Sequence, residues 1–163
     1  MQIAVEKLTP ELFAEILPLG QESWDECSEL KKDTCSFHGE RGFKIQPFES
    51  RYLYLAENDL LLAFVLRDDE NVLQGYAFAI FYQSLHHAPV SCANVDTFYL
   101  RPIVRMRMRS FIALMEKHFE QRGVVVVGWP VSPSGGLFDV LKALGYAPDD
   151  VIMEKRICAL QQQ

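Results

Sequence analysis

The chain has no stretch of about 18 apolar residues, so no membrane-spanning helix is expected. Its first residues, MQIAVEKLTPELF, are too polar for a secretory signal, so export is not expected. Paired cysteines are also lacking. Cys27, Cys35, Cys92 and Cys158 are scattered, and in a chain without an export signal the expectation is reduced thiols and a cytoplasmic location. Cys35 and His38 have a metal-like local spacing, with Cys27 upstream, but no second close pair accompanies them and no metal site is expected. Positive charge is scarce: 16 Lys and Arg stand against 22 Asp and Glu, a net charge of −6. That balance argues against nucleic acid as a direct partner, because duplex binding needs a broad cationic face.

What remains fits one domain spanning residues 1–163, with 49% hydrophobic and 23% charged residues. Gln2 to Lys7 alternates like a strand. Thr9-Pro10-Glu11 supplies an N-cap, a proline at the first helical position and an acid in the first turn. The helix that follows carries Leu12, Phe13, Ile16 and Leu17 and is expected to break near Pro18 to Gly20, with a second helix from Gln21 to Lys32. Asp33 to Phe43 reads as a loop. Pro47 to Glu57 reads as a helix with Phe48, Tyr52 and Leu55 on one face.

Strands dominate from Leu60. Leu60 to Leu66 and Val72 to Tyr82 form a hairpin pattern around the charged tip Arg67 to Asn71, and Cys92 to Leu100 is the next strand. Val104 to Arg122 places Met108, Phe111, Ile112, Met115 and Phe119 on one helical stripe, with Gly123 as its C-terminal cap. Val124 to Trp129 is a continuous apolar run, expected to be a strand buried on both faces. Ser134-Gly135-Gly136 leads into a helix from Leu137 to Leu144, and Val151 to Ile157 is a last strand. The order predicts an α/β mixed sheet, antiparallel early, with flanking helices. The unit 92–129 is a βαβ crossover with two parallel strands.

Against the acidic balance, Arg101, Arg105, Arg107 and Arg109 crowd nine residues where a strand feeds a helix. Cationic side chains at a helix N-terminus are unfavourable by roughly 0.3–1 kcal/mol each unless an anion sits there. The segment is therefore expected to attract a phosphate.

These residues resemble the GNAT superfamily of acyl-coenzyme A dependent N-acyltransferases, and most closely its phage-encoded branch. The resemblance covers roughly residues 48 to 157. It rests on Gly75-Tyr76, on Asn94-Val-Asp-Thr-Phe-Tyr-Leu-Arg-Pro102, on Gln121-Arg122-Gly123 and on Leu144-Gly145-Tyr146. It implies a mixed, mostly antiparallel sheet with two central parallel strands that splay apart. It also implies acetyl-CoA as co-substrate, its pantetheine pairing with the backbone of Phe98, Tyr99 and Leu100. The pyrophosphate would sit on the turn Arg105, Met106, Arg107, Met108, Arg109 and Ser110. The family's turn reads Arg/Gln-x-x-Gly-x-Gly/Ala, so Met108 stands at the first glycine position and Ser110 at the second. The Met108 side chain would then have to point into the core for the amides to stay accessible.

The same resemblance makes Asp96 the general base, facing the acceptor amine. The tyrosine that often protonates the leaving thiolate has no counterpart, its position being Leu141, and the upstream asparagine is replaced by Ser134. Tyr99 and Tyr146 are the substitutes. His86 and His87 lie in a loop that flanks the family's acceptor site, and either orient substrate or are simply exposed. Trp129 either lines the acceptor tunnel or packs in the core, as do Trp24 and Phe48 from the N-terminal helices. The expected activity is acetyl transfer to a primary amine, on a protein or a small molecule. The competing expectation is a GNAT-like protein with weak or lost catalysis that binds a host protein, in the host cytoplasm if phage-encoded. A monomer or a dimer is compatible with either.

Overall fold

The computed structural model describes residues 1–31, 45–131 and 135–148, with side chains from 28 to 31 left aside. Its five strands lie in the order β1 (Gln2–Glu6), β2 (Leu61–Arg67), β3 (Leu73–Gln83), β4 (Ser91–Leu100) and β5 (Val126–Gly128). The first three pairings are antiparallel and β4–β5 is parallel, as the crossover reading requires. The expected strand Val151 to Ile157 lies outside the described residues, as do Cys35, His38, Ser134 and Cys158.

Each face of the sheet carries its own apolar layer. Helix α1 (Pro10–Lys31) and helix α2 (Glu49–Glu57) cover one face, where Leu12, Phe13, Ile16 and Leu19 meet Val65, Tyr76 and Phe78. Helix α3 (Met108–Gln121) covers the other, setting Phe111, Met115 and Phe119 against Phe64, Ala79, Val95 and Leu100. Helix α4 (Gly136–Ala143) follows β5 and buries Leu141. No helix among the described residues is long and apolar enough to cross a membrane.

Four sequence expectations are corrected. The first helix does not break at Pro18, which lies inside the single α1. Pro18 is on the exposed side, so its missing N–H falls away from the sheet, while the buried stripe Leu12, Ile16, Leu19 runs past it unbroken. The Thr9 cap is present, its Oγ1 accepting from the Leu12 N–H at 3.3 Å. The third helix does not begin as an α-helix at Val104: Pro102–Arg107 is a 3₁₀ turn, and the α-helix starts at Met108. Its end is as expected, with Gly123 at φ +67.

The run Val124 to Trp129 is not buried on both faces. Only Val126–Gly128 pairs, and Val125 and Val126 are 70% and 52% exposed. β5 is the edge strand among the described residues, and an apolar run alone does not reveal how many of its faces are covered. Within the hairpin tip, Arg67 is the last residue of β2, not a solvated turn residue. Its guanidinium bonds Glu6 at 2.7 Å and Glu15 at 2.6 Å, tying α1 to the sheet edge.

Candidate active site

The site begins with a fault in β4. Thr97 pairs with Phe78 and Val95 with Ala79, so Asp96 is an extra residue with no partner on β3. Before this bulge the odd-numbered Ala93 and Val95 face α3. After it, the even-numbered Phe98 and Leu100 do, and Tyr99 packs beneath α1. Strict alternation from Val95 would have sent Tyr99 to the α3 side. The bulge shifts the phase by one after Asp96, so that Asp96 and Thr97, consecutive in sequence, both line the α1–α2 face.

That face holds an open cleft of about 660 Å³ between α1, α2 and the sheet. Phe13, Trp24, Tyr52, Tyr76 and Phe78 supply its aromatic walls, and Asp96 stands on its inner wall. Tyr52, from α2, donates its hydroxyl to Asp96 Oδ2 at 2.7 Å. Burial and then the adjacent carboxylate raise the Tyr52 pKa well above the ordinary tyrosine range, so this hydroxyl stays a donor. Burial also pushes Tyr76 up to about 12. Tyr52 is the residue sequence reading missed as a site component. Its i, i+4 spacing marked it as core, and nothing local to it points 44 residues ahead to Asp96.

On the other side of β4 the sheet opens. Strand β5 pairs with Cys92, Ala93 and Asn94 only, so from Val95 to Leu100 that edge of β4 has no strand partner among the described residues. The Phe98 and Trp129 rings meet beside this gap at 5.6 Å, and Tyr146 stacks edge-on to Trp129 at 6.1 Å. The far end of β4 is fixed by Gly75. A Cβ there would lie 2.8 Å from the Tyr99 carbonyl oxygen and closer still to Leu100 Cδ2.

The arginines divide into two groups. Arg101 is bonded to Glu22 at 2.6 Å, and this hydrogen bond holds the Glu22 carboxyl below its usual range. Arg105 is bonded to Glu26 at 2.6 Å and to the Leu100 carbonyl at 3.1 Å. Arg107 and Arg109 are exposed, with no hydrogen bond or ion pair among the described residues. Met106 projects outward at 86% exposure, and Ser110 is exposed. Met108 is half-buried and packs against the α3-side core, the orientation its place in the turn requires. Its backbone N–H, however, is bonded to the Arg105 carbonyl.

The remaining candidates do not converge on the cleft. The Tyr99 hydroxyl lies 3.5 Å from Glu22 Oε2, and its pKa is raised by burial and then by Glu22 and Glu26. Tyr146 donates to Glu116 at 2.9 Å, on the α3 side. His86 and His87 are exposed in the β3–β4 loop, beyond Ser91, which is about 17 Å along the strand from Asp96 at ~3.4 Å per residue. Phe48 is 70% exposed. Trp129 packs on Phe98 at the β4–β5 gap, and Leu141 is buried inside α4.

The mixed five-stranded sheet with its flanking helices is a GNAT-like fold, as found in solved N-acetyltransferases. The chain superposes on a tetramutant of the BH1408 protein from Bacillus halodurans with a TM-score of 0.76 and 13% identity, covering 96% of this chain and all of that one. The aminoglycoside N-acetyltransferase AAC(6')-Iy, solved with CoA, matches with a TM-score of 0.64 and 16% identity over 96% of this chain and all of that one. A ribosomal-protein-alanine N-acetyltransferase from Brucella melitensis biovar Abortus 2308 matches with a TM-score of 0.62 and 15% identity, again over 96% and 100%. No known family profile and no curated protein matches the sequence. The resemblance to a phage-encoded branch finds no support in these matches.

Proposed function

We propose that the protein transfers an acetyl group from acetyl-CoA to a primary amine. The observation that carries this reading is the Asp96 carboxylate, standing on a bulge between the cleft and the open edge of β4. The residues present fit acetyl-CoA as a substrate. The edge from Val95 to Leu100, without a strand partner among the described residues, offers backbone groups to an extended amide chain, and the exposed Arg107 and Arg109 offer cations beside the first turn of α3.

The acceptor enters from the aromatic cleft, where desolvation favours its neutral form. As the nitrogen bonds to the acetyl carbonyl carbon its remaining protons become acidic, and Asp96 accepts one. The carbon–sulfur bond breaks and CoA departs as the thiolate, which takes up a proton. Tyr52 holds Asp96 through Oδ2 and so steadies the carboxylate that takes the proton. Backbone N–H groups near Tyr99 and Leu100 polarise the carbonyl.

Calorimetric titration with acetyl-CoA, followed by thiol release on adding amines, tests the reading. Saturable micromolar binding with amine-dependent release is the expected result, and binding without release for any amine would overturn it.

One observation favours a second reading, a protein of this fold that binds a host protein without catalysis. The Met108 N–H is already used by the Arg105 carbonyl, and Arg105 is held by Glu26, so part of the phosphate turn is occupied from within. Absence of any heat with acetyl-CoA at millimolar concentration would favour it.

A further inference from the structure

The cleft walls carry more information than the presence of a base. Among the described residues, Asp96 is the only carboxylate lining a cleft whose other walls are largely Phe, Tyr, Trp, Ile and Leu. Glu22 and Glu26 of α1 do not add to it. Glu22 is neutralised by Arg101 and Glu26 by Arg105, both at the β4–α3 end. The remaining polar groups of the wall, such as Ser23, Thr97 and the Tyr76 hydroxyl, are uncharged. An ammonium taken into the cleft without a counter-charge is strongly unfavourable, so the one carboxylate among the described lining residues pairs with one ammonium. The rest of the ligand then has to satisfy aromatic and branched aliphatic surfaces.

We infer that the acceptor is a monoamine with an apolar, aryl or branched-alkyl body, and not a diamine, polyamine or aminosugar. This rests on the acetyl-transfer reading for its chemistry, and for the ligand class on the described lining of the cleft. A second cation would meet Phe13, Phe78 or Trp24 where it needs a carboxylate. Face-on aromatic contact offsets only a small part of that loss.

The test uses the full chain with acetyl-CoA and four amines: 2-phenylethylamine, 3-methylbutylamine, putrescine and neamine. Thiol release gives kcat/KM, and tryptophan fluorescence reports binding without turnover, since Trp24 lines the cleft and Trp129 abuts Phe98. The expected result is kcat/KM for 2-phenylethylamine at least about tenfold above putrescine and neamine, as one misplaced charge outweighs the amines' shared contacts. Ser23→Glu adds a second carboxylate to the wall and is expected to narrow or invert that ratio. Equal or better transfer to putrescine or neamine by the unaltered protein would overturn the inference while leaving acetyl transfer standing. Saturable fluorescence change with 2-phenylethylamine but no thiol release would sustain the ligand class and sink the transfer reading. No response to either monoamine in both readouts would overturn the inference.

Discussion

Tyr52 on α2 and Asp96 on β4 are joined by a 2.7 Å hydrogen bond that spans 44 residues of chain. The bond ties the helical cover of the cleft to the bulge that presents the carboxylate, so the position of one fixes the aim of the other.

Removing either partner is therefore expected to act differently. Asp96→Asn should lower kcat about 10²-fold with acetyl-CoA affinity unchanged, the cost of losing a positioned base. Tyr52→Phe should lower kcat roughly tenfold, with KM for the amine rising less, because the base survives but loses its anchor. Steady-state kinetics with calorimetry check both, and equal effects of the two variants would contradict the assignment.

The arginines make a prediction with two opposite signs. Arg107→Ala with Arg109→Ala should weaken acetyl-CoA binding about tenfold, each exposed cation contributing the modest energy of a charge-assisted contact. Glu26→Gln frees Arg105 and should tighten binding a few-fold, because a half-exposed ion pair is easily exchanged for a phosphate. Calorimetry at two salt concentrations measures both, and a weakened Glu26→Gln would show that the pair holds the turn in shape.

Much of this was legible in the sequence, and the reasons for the rest are physical. The aromatic and β-branched run 72–82 and the stripe Phe111, Ile112, Met115, Phe119 are local patterns, and they correspond to β3 and α3. Asp96 is singled out by its surrounding motif. The bulge beneath it is not, because an extra strand residue is defined by its partner on β3 and leaves the apolar pattern nearly intact. Tyr52 was read as core for the same reason: its ring does pack on Phe13 and Phe78, and only its hydroxyl belongs to the site. The sequence marks Arg105 as a candidate phosphate ligand, while its ion pair with Glu26, 79 residues away, is a relation no local pattern encodes.

Gly75 sets a limit on packing. Gly75→Ala would bring a methyl against the Tyr99 carbonyl and the Leu100 side chain, and is expected to destabilise the fold by about 1–3 kcal/mol. Urea unfolding measures it. A neutral result would mean that the end of β4 shifts without cost, and acetyl-CoA affinity would then report the shift.

Alkaline pH probes the cluster behind the gap. Burial and then the Glu116 carboxylate raise Tyr146 to about 12, while the Trp129 indole pulls slightly the other way. A raised folded-state pKa means the contribution is complete below about 10, the unfolded value, and is lost as pH rises toward 12. Between pH 8 and 11.5 the protein should lose more stability than Tyr146→Phe does, measured by urea midpoints. Equal losses would remove Tyr146 from the effect.

The short β4–β5 ladder also ranks the parts of the molecule by how readily they open. Strands β2, β3 and β4 form a meander closed by two hairpins, with long registers and apolar layers on both faces. Strand β5 is held by three rungs after a helical crossover. Amide protons of the meander should exchange only through global unfolding, and those of β5 through cheaper local openings. The flank on which the co-substrate would lie is thus the least consolidated unit of the sheet, and a ligand laid along β4 would complete its cooperativity as a missing strand would.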